Sequence, residues 1–271
     1  MRRAYQPLRC PHGRCIEVRV RGFVDLHCHW IAGIDDGART VEASLSMLRG
    51  LKKAGFDTVM ATPHMRPGMF DNDRDALRAA FDAMRPHLEG EADLPKVYLS
   101  SEHWFDEIVF ARLLAGEALP YPDVEGSPIA TAPRTQRRRG VLVELPPQTF
   151  PPRIERRFFD LARAGLRPVL AHPERYQPVW KDDACLEPLL DAGACLLLDV
   201  CALVGKYGKA SQKAAEKLLD DDAYEAACSD AHRPEDAEIV EEAIAVLTKR
   251  VGLPETERLL STGPRAILGV R

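Results

Sequence analysis

Seven short polar motifs, each closing an apolar run, are the residues of this sequence best suited to chemistry. They contain His, Asp and Glu, the side chains that bind catalytic metal ions. In chain order they are Asp25-Leu26-His27-Cys28-His29, Thr62-Pro63-His64, Ser101-Glu102-His103, Glu144-Leu145-Pro146, His172-Pro173-Glu174-Arg175, Asp199 and Ser229-Asp230-Ala231-His232. A buried strand that ends in a metal ligand, repeated along a chain of this size, is what a metal site on a parallel barrel requires.

The first motif contains two histidines at a spacing that suits a strand. His27 and His29 are two residues apart, so their side chains point the same way. Asp25 lies on the same face and could orient one imidazole. A lone His-x-His pair is weak evidence for a metal. It gains weight from three further histidines in the motifs, which are His64, His172 and His232.

Carboxylates complete the candidate ligand set. Glu102 and Glu144 follow apolar residues, where an unpaired carboxylate is costly to bury and a cation is the simplest partner. Asp230 shares a strand face with His232. Asp36 lies in Ile34-Asp35-Asp36-Gly37, a sequence that by itself favours a turn. Because the other ligand motifs are present in the same chain, Asp36 is interpreted as a metal ligand. Three divalent cations would exceed the charge of these four carboxylates. Such a pocket attracts a phosphate dianion and lowers the pKa of bound water to about 7.

Two arginines are candidates for binding a phosphoryl group. The guanidinium of Arg175 suits bidentate contact with phosphate, and a salt bridge to Glu174 or another neighbour is the alternative interpretation. Arg66 is the next candidate. His103 is interpreted as structural, because its side chain should point away from that of Glu102.

The elements that must position these residues alternate between strand and helix patterns. Strands are predicted at 22–29, 57–62, 96–102, 140–145, 167–172, 194–200 and 223–229. Helices are predicted at 73–88, 154–164, 182–192, 211–220, 234–248 and 255–261, after a first helix with Thr40 as N-cap and Gly55 as its stop. This order implies right-handed crossovers and an α/β fold with a parallel sheet, and seven strands fit a closed or nearly closed barrel. The glycine-rich phosphate loop of a Rossmann fold does not follow the first strand.

Composition narrows the function classes. The 271 residues include 37 Lys and Arg against 41 Asp and Glu, a net charge of -4 that argues against bulk binding of nucleic acid. Neither a membrane-spanning run nor a signal-peptide core is present, and the seven cysteines are scattered. We therefore expect a cytoplasmic protein with reduced thiols. Residues 1–21 are predicted to be a disordered or loosely packed arm before one domain over 22–271, and 118–139 to be a surface loop.

The chain resembles the PHP (polymerase and histidinol phosphatase) superfamily, and within it the bacterial tyrosine-protein phosphatases associated with capsule and exopolysaccharide synthesis. The resemblance rests on the motifs above together with Gly33-Ile34-Asp35-Asp36-Gly37, Gly68-Met69-Phe70 and Gly205-Lys206-Tyr207-Gly208. The longer N-terminal arm and a segment at Arg134–Arg139 depart from the family pattern, and neither contains a predicted ligand.

The resemblance implies a distorted (β/α)7 TIM-like barrel with a trinuclear metal site at the C-terminal ends of its strands. Carried over residue by residue, the resemblance implies that the first metal is bound by His27, His29, Glu102 and Asp230. Glu102 would bridge to a second metal, which Glu144 and His172 also bind. The third metal would be bound by Asp36, His64 and His232. Arg175 would contact phosphate. The implied metals are manganese, iron or zinc, with manganese favoured.

The implied activity is hydrolysis of protein phosphotyrosine by direct attack of a metal-bridging hydroxide. A tyrosine kinase of polysaccharide export is the implied partner. Three alternatives remain open: a phosphatase of a small phosphomonoester such as histidinol phosphate, a metal-dependent amidohydrolase, and an inactive regulatory PHP module. Many amidohydrolases have a lysine where Glu144 stands here, which argues against the second.

A cysteine-dependent phosphatase would need Cys, five residues and then Arg, and Cys15 and Arg21 have that spacing. The residues between them alternate like a strand and lack a glycine to form an anion-binding nest. We therefore predict that Cys15→Ser retains the kcat/KM of the parent protein on a phosphotyrosine peptide. A loss of more than about tenfold would contradict the direct metal-dependent mechanism.

Overall fold

The computed structural model describes residues 21–122, 124 and 138–269. The predicted arm before Arg21 and most of the basic segment before Arg138 lie outside these residues. The described strands are β1 (Phe23–Asp25), β2 (Phe56–Ala61), β3 (His64–Met65), β4 (Lys96–Leu99), β5 (Glu102–Trp104), β6 (Arg139–Glu144), β7 (Leu166–Ala171), β8 (Cys195–Asp199) and β9 (Tyr224–Cys228). The described α-helices are α1 (Val41–Ala54), α2 (Arg74–Leu88), α3 (Glu107–Ala115), α4 (Ile154–Arg163), α5 (Gln177–Lys181), α6 (Glu187–Asp191), α7 (Lys209–Asp220), α8 (Asp236–Val251), α9 (Leu253–Glu257) and α10 (Gly263–Ile267).

These strands form two parallel sheets, ordered β1-β2-β4 and β3-β5-β6-β7-β8-β9. The alternation of strands and helices therefore confirms the predicted α/β fold with parallel sheets. Beyond the last regular pairs, the first and last strands also meet. The amide of Asp230 donates to His27 O at 2.9 Å, and the amide of His29 donates to Ala231 O at 2.9 Å. The segments that contain the first and last motifs are thereby held side by side.

The predicted strands differ from the observed ones in length and continuity: the strand predicted at 22–29 covers only Phe23–Asp25, and two others are each followed by a short second strand. β2 ends at Ala61 because Pro63 has no amide hydrogen to continue the ladder, and the chain resumes as β3. The strand predicted at 96–102 ends at Leu99 and resumes as β5. The amide of Ser100 still donates to Ala61 O at 2.8 Å, so the two interruptions stay aligned.

The predicted helices match α1, α2, α4, α7 and α8 to within a few residues and differ from the structure elsewhere. Thr40 caps α1 by accepting a hydrogen bond from the Ala43 amide at 3.2 Å, and Gly55 ends it with φ 114°. The helix α3 was not predicted. The helix predicted at 182–192 is instead a 3₁₀ turn (Asp183–Leu186) followed by the short α6.

The core lies around strands whose side chains are buried on both faces, as in β8, where Leu196–Leu198 are fully buried. The predicted surface loop at 118–139 is wrong at its start. Tyr121 is only 2% exposed, and its hydroxyl donates to Leu26 O at 2.9 Å. Among the described residues, no helix has the length and apolar character needed to cross a membrane.

Candidate metal centre

All nine predicted ligands lie at the C-terminal ends of the parallel strands, where strand ends meet on one face. Their ligand atoms fall into four overlapping groups, each with its atoms within 4.8 Å of one another. The groups are His29-Asp36-His64-His232, His27-His29-Asp230, His27-Glu102-His172 and His64-Glu102-Glu144. The folding of distant strand ends into one cluster is what the sequence pattern predicted.

The innermost group contains the two histidines of the first motif. The Nε2 atoms of His27 and His29 are 3.1 Å apart, and Asp230 Oδ1 lies 3.1 Å from His27 Nε2 and 3.6 Å from His29 Nε2. Their side chains are buried. Three atoms with lone pairs therefore converge in a space that water does not reach from the surface.

Glu102 is the residue that connects this group to the rest. Its Oε2 lies 3.1 Å from His27 Nε2, 3.3 Å from His29 Nε2 and 3.1 Å from His64 Nδ1. Its Oε1 lies 3.2 Å from His172 Nε2. The two oxygens thus face different sets of nitrogens, which is the geometry that a bridging carboxylate needs.

The outer group lies toward solvent. Asp36 Oδ1 is 3.4 Å from His64 Nε2 and 3.6 Å from His232 Nε2, and its side chain is 52% exposed. The ring of His232 stacks on that of His29 at 4.1 Å between centroids. His29 therefore belongs to the inner and outer groups alike, a sharing that the predicted ligand sets did not include.

Glu144 and His172 approach Glu102 from different sides. Glu144 Oε2 lies 3.9 Å from His64 Nδ1, and these two residues share a group with Glu102. His172 shares its group with His27 and Glu102 instead. Glu102, Glu144 and His172 were predicted to hold the second metal. Glu102 shares a group with each of the other two, but Glu144 and His172 belong to different groups.

Several atoms at the centre of the cluster lack hydrogen bonds. His64 Nδ1, Glu144 Oε2 and Asp230 Oδ1 are buried and have no hydrogen-bond partner among the described residues. Buried polar atoms are normally satisfied, because leaving one unpaired costs about 1–3 kcal/mol. Imidazole and carboxylate donors that face one another without bonds fit bound divalent cations.

The charges of the side chains agree with a cation site. Burial opposes ionisation of Glu102, but His27 and His64 outweigh it, and the pKa of Glu102 stays well below its usual range. Burial likewise opposes ionisation of Asp230, yet His27 holds its pKa well below the usual value. Burial and then the neighbouring Glu102 raise the pKa of Glu144 to about 7. One further positive charge near Glu144 would favour its ionised form.

Asp35 orients the cluster, and the sequence interpretation missed it. Its Oδ2 lies 2.8 Å from His29 Nδ1 and accepts the His64 amide at 3.0 Å, while its Oδ1 accepts the Gly37 amide at 3.0 Å. One carboxylate thus holds an imidazole and two segments that carry predicted ligands. The adjacent acids of Asp35-Asp36 were visible, but a single sequence does not show which one turns inward.

Asp25 has a different role from the one predicted. Its Oδ1 accepts the amides of His27 at 3.2 Å and Ser229 at 3.0 Å, and its Oδ2 accepts the Ser229 hydroxyl at 2.5 Å. Asp25 therefore joins the backbones of the first and last motifs, and the imidazole of His29 is oriented by Asp35.

Two predicted ligands have unusual backbone conformations. His172 has φ 36° and Asp230 has φ 44°, both in the left-handed region that is costly for residues with a Cβ atom. His172 directly follows β7, and Asp230 lies two residues after the end of β9. Strain of about 1–3 kcal/mol that is retained at such positions commonly marks a functional site.

Arg175 lies beside the cluster and is held by three contacts. Its Nη1 donates to Asp230 Oδ2 at 2.5 Å and lies 3.9 Å from Asp199 Oδ2, and its guanidinium lies 4.4 Å from the centre of the Tyr207 ring. The alternative interpretation, a salt bridge to Glu174 or another neighbour, is therefore correct in that a salt bridge forms, but its partner is Asp230 and not Glu174. Glu174 is fully buried and accepts hydrogen bonds from the Asp199 amide and the Tyr224 hydroxyl instead.

Arg66 is a second cation close to Glu144. Its guanidinium stacks 3.6 Å above the ring of Trp104, and Arg66 and Arg175 both act electrostatically on Glu144. His103 points away from the cluster, as predicted. Its Nδ1 bonds Leu142 O at 2.8 Å, and burial lowers its pKa to about 4.

The chain is similar to a family of known proteins. The sequence profile of the family described as capsular polysaccharide synthesis, CpsB/CapC, matches residues 23–269. Tyrosine-protein phosphatase YwqE of Bacillus subtilis is 30% identical over 235 residues, covering 84% of this chain and 85% of that protein. Tyrosine-protein phosphatase CpsB of Streptococcus pneumoniae is 24% identical over 251 residues, covering 90% and 98%.

A solved structure from work on YwqE of Bacillus subtilis and CpsB of Streptococcus pneumoniae, called unique metal-dependent tyrosine phosphatases, superposes with a TM-score of 0.79. It is 27% identical and covers 92% of this chain and 95% of that chain. The resemblance inferred from the motifs is confirmed by these matches.

The geometry predicts that Glu102→Ala removes most of the bound metal, because its carboxylate faces four imidazoles. The measurement is metal content by mass spectrometry after loading with manganese and gel filtration. Glu107→Ala is the control, since that side chain is 79% exposed on α3. Metal retention by Glu102→Ala at the parent level would exclude Glu102 as a bridging group.

We also predict that Asp35→Asn weakens metal binding by about 10–100-fold, the usual cost of losing the carboxylate that orients a metal-binding histidine. Competition with a chelating dye measures the affinity. Asp57→Asn, an acid at the surface that pairs with Lys52, should bind metal like the parent. Equal affinities for the two variants would show that Asp35 does not orient His29.

Proposed function

This chain belongs to the CpsB/CapC family of capsular polysaccharide synthesis, and we propose that it is a metal-dependent protein-tyrosine phosphatase. The family membership and the relatives named as tyrosine-protein phosphatases support this activity. The observation that carries the proposal is the convergence of five histidines and four carboxylates at one end of the parallel strands. A metal-dependent phosphatase requires such a site.

Three divalent metal ions are proposed, with manganese favoured over iron and zinc. The first would be held by His27, His29, Glu102 and Asp230, the second by Glu102, Glu144 and His172, and the third by Asp36, His64 and His232. When bound, such ions supply an activated water molecule and neutralise the charge of phosphoryl oxygens. The unpaired buried atoms of His64, Glu144 and Asp230 support this assignment.

The proposed role of Arg175 is to bind and orient the phosphoryl group. One of its five N–H donors faces Asp230, and the side chain is 29% exposed, so other donors are available to a substrate. The stack against Tyr207 limits the rotation of the guanidinium. Arg66, which also acts electrostatically on Glu144, is the second proposed cation for substrate binding.

Hydrolysis without a covalent phosphoenzyme is proposed. Cys28, Cys195, Cys201 and Cys228 are buried, so their thiols cannot reach a phosphoprotein. Burial raises the pKa of Cys185 to about 11, which leaves it a poor nucleophile near neutral pH. Within the described residues, the cysteines are therefore unsuited to the chemistry of cysteine-dependent phosphatases.

The proposed architecture is a distorted (β/α)7 barrel formed by residues 22–271. Its support is the pair of backbone hydrogen bonds that join the segments after β1 and β9. A cytoplasmic location is proposed with it. The substrates would be phosphotyrosine proteins, including a tyrosine kinase of polysaccharide export, in line with the capsule synthesis family.

Side-by-side assays test the activity. The protein loaded with manganese should hydrolyse a phosphotyrosine peptide faster than the matched phosphoserine peptide and histidinol phosphate. Preference for histidinol phosphate would instead favour a phosphatase of small phosphomonoesters. Inactivity on all three substrates at full metal loading would contradict the phosphatase proposal.

We predict that Arg175→Ala raises KM and lowers kcat while metal content stays at the parent level. The loss in kcat/KM should be about tenfold or more, which corresponds to at least ~1.4 kcal/mol of transition-state stabilisation. Arg175→Lys keeps the charge but not the planar fork and should recover part of the activity. Normal turnover, or loss of metal, in Arg175→Ala would make Arg175 a structural partner of Asp230.

A further inference from the structure

A short hairpin extends from the metal centre beyond the layer of predicted ligands. Arg66 and Phe70 pair in an antiparallel bridge, with N–O distances of 3.1 Å and 2.8 Å. Gly68, at φ 82°, makes the turn, and its amide donates to Asp71 Oδ1 at 2.6 Å. The hairpin is thus held in shape by its own hydrogen bonds, directly after His64.

The register of the sheet puts two residues of this region above the ligands. His64 of β3 pairs with Glu102 of β5, and side chains two residues further along point to the same face. Those residues are Arg66 and Trp104, and the 3.6 Å stack between them shows that they do meet. Trp104 is in turn the register partner of Glu144 on β6. An aromatic ring therefore borders the metal centre on its outer side.

A second aromatic ring closes the same side. The ring of Phe70 stacks on the imidazole of His64 at 5.3 Å, with only 5° between the planes. Phe70 and Trp104 are both half-buried, so part of each ring is accessible. Met69, between the bridge residues at the hairpin tip, is 60% exposed. Its side chain buries little surface and therefore contributes little to folding.

This composition suits an aromatic substrate group. In phosphotyrosine the ring is bonded directly to the ester oxygen, whereas in phosphoserine one methylene separates that oxygen from the peptide backbone. A phosphoryl group at the metal centre would therefore bring a phenyl ring, but not a serine side chain, against these residues. Aromatic rings and the thioether of Met bind such a ring more strongly than burial of its apolar surface alone would give.

We propose that Met69, Phe70 and Trp104 form a subsite for the phenyl ring and make the protein selective for phosphotyrosine over phosphoserine. Arg66 holds the Trp104 ring in place by stacking on it. This inference rests on the proposed phosphatase function, and it assigns the selectivity to the hairpin and Trp104, because the phosphoryl group that the metal centre would bind is the same in both substrates.

The test compares kcat/KM for a phosphotyrosine peptide with that for a phosphoserine peptide of the same sequence. In Met69→Ala/Phe70→Leu, the phosphotyrosine preference, the ratio of these two values, should fall about tenfold. Met69→Ala alone should shift the preference in the same direction, and because Met69 is 60% exposed its removal leaves the core intact. Phe159→Leu, a 53% exposed ring on α4, should keep the parent preference.

Binding provides a readout that is independent of turnover. Calorimetry should show weaker binding of a non-hydrolysable phosphonotyrosine peptide by the double variant and unchanged binding of inorganic phosphate. If the double variant keeps both the phosphotyrosine preference and the peptide affinity of the parent, the proposed subsite is wrong. The proposed phosphatase function would be unaffected by that result. Inactivity of the parent protein on both peptides would overturn the two proposals together.

Discussion

The buried carboxylate of Glu102 is the group on which the metal centre depends. It is 1% exposed, and its two oxygens lie within 3.3 Å of nitrogens from four histidines. An isolated carboxylate at such a depth would be protonated or would destabilise the fold. The surrounding imidazoles keep it ionised, and cations in the same space would stabilise it further. Four of the five predicted histidine ligands contact this carboxylate, while His232 belongs to the outer group with Asp36.

The parallel strands make this concentration of polar groups possible. Their C-terminal ends meet on one face, so residues far apart in sequence can share one space without breaking the apolar layer beneath. Asp25 and Ser229 join the first and last motifs, and Asp35 ties His29 to the neighbouring loop. These supporting bonds explain how ligands on separate strands keep distances near 3 Å.

A second layer of residues lies next to the predicted ligands. Asp199 and Tyr207 contact Arg175, and Trp104 stacks against Arg66. Both cations are fixed by stacking on aromatic rings, which reduces the conformational entropy lost when a phosphoryl group binds. The proposed chemistry and the proposed selectivity therefore rest on different layers of residues.

The sequence alone determined the features that depend on local spacing. His27 and His29 point the same way because strand side chains alternate, and Thr40 and Gly55 set the ends of α1 through capping and a positive φ. The order of strands and helices implied parallel sheets, and polar residues at strand ends implied their convergence. Even the direction of His103 followed from its place next to Glu102.

Only the tertiary structure decided which atoms meet across strands. Arg175 pairs with Asp230 and not with its neighbour Glu174, and the carboxylate that orients His29 is Asp35 and not Asp25. These choices depend on the relative depth of separate strand ends and on backbone conformations such as φ 44° at Asp230. The energies of neighbouring alternatives differ little in an isolated segment, so packing of the whole sheet is needed to select one of them.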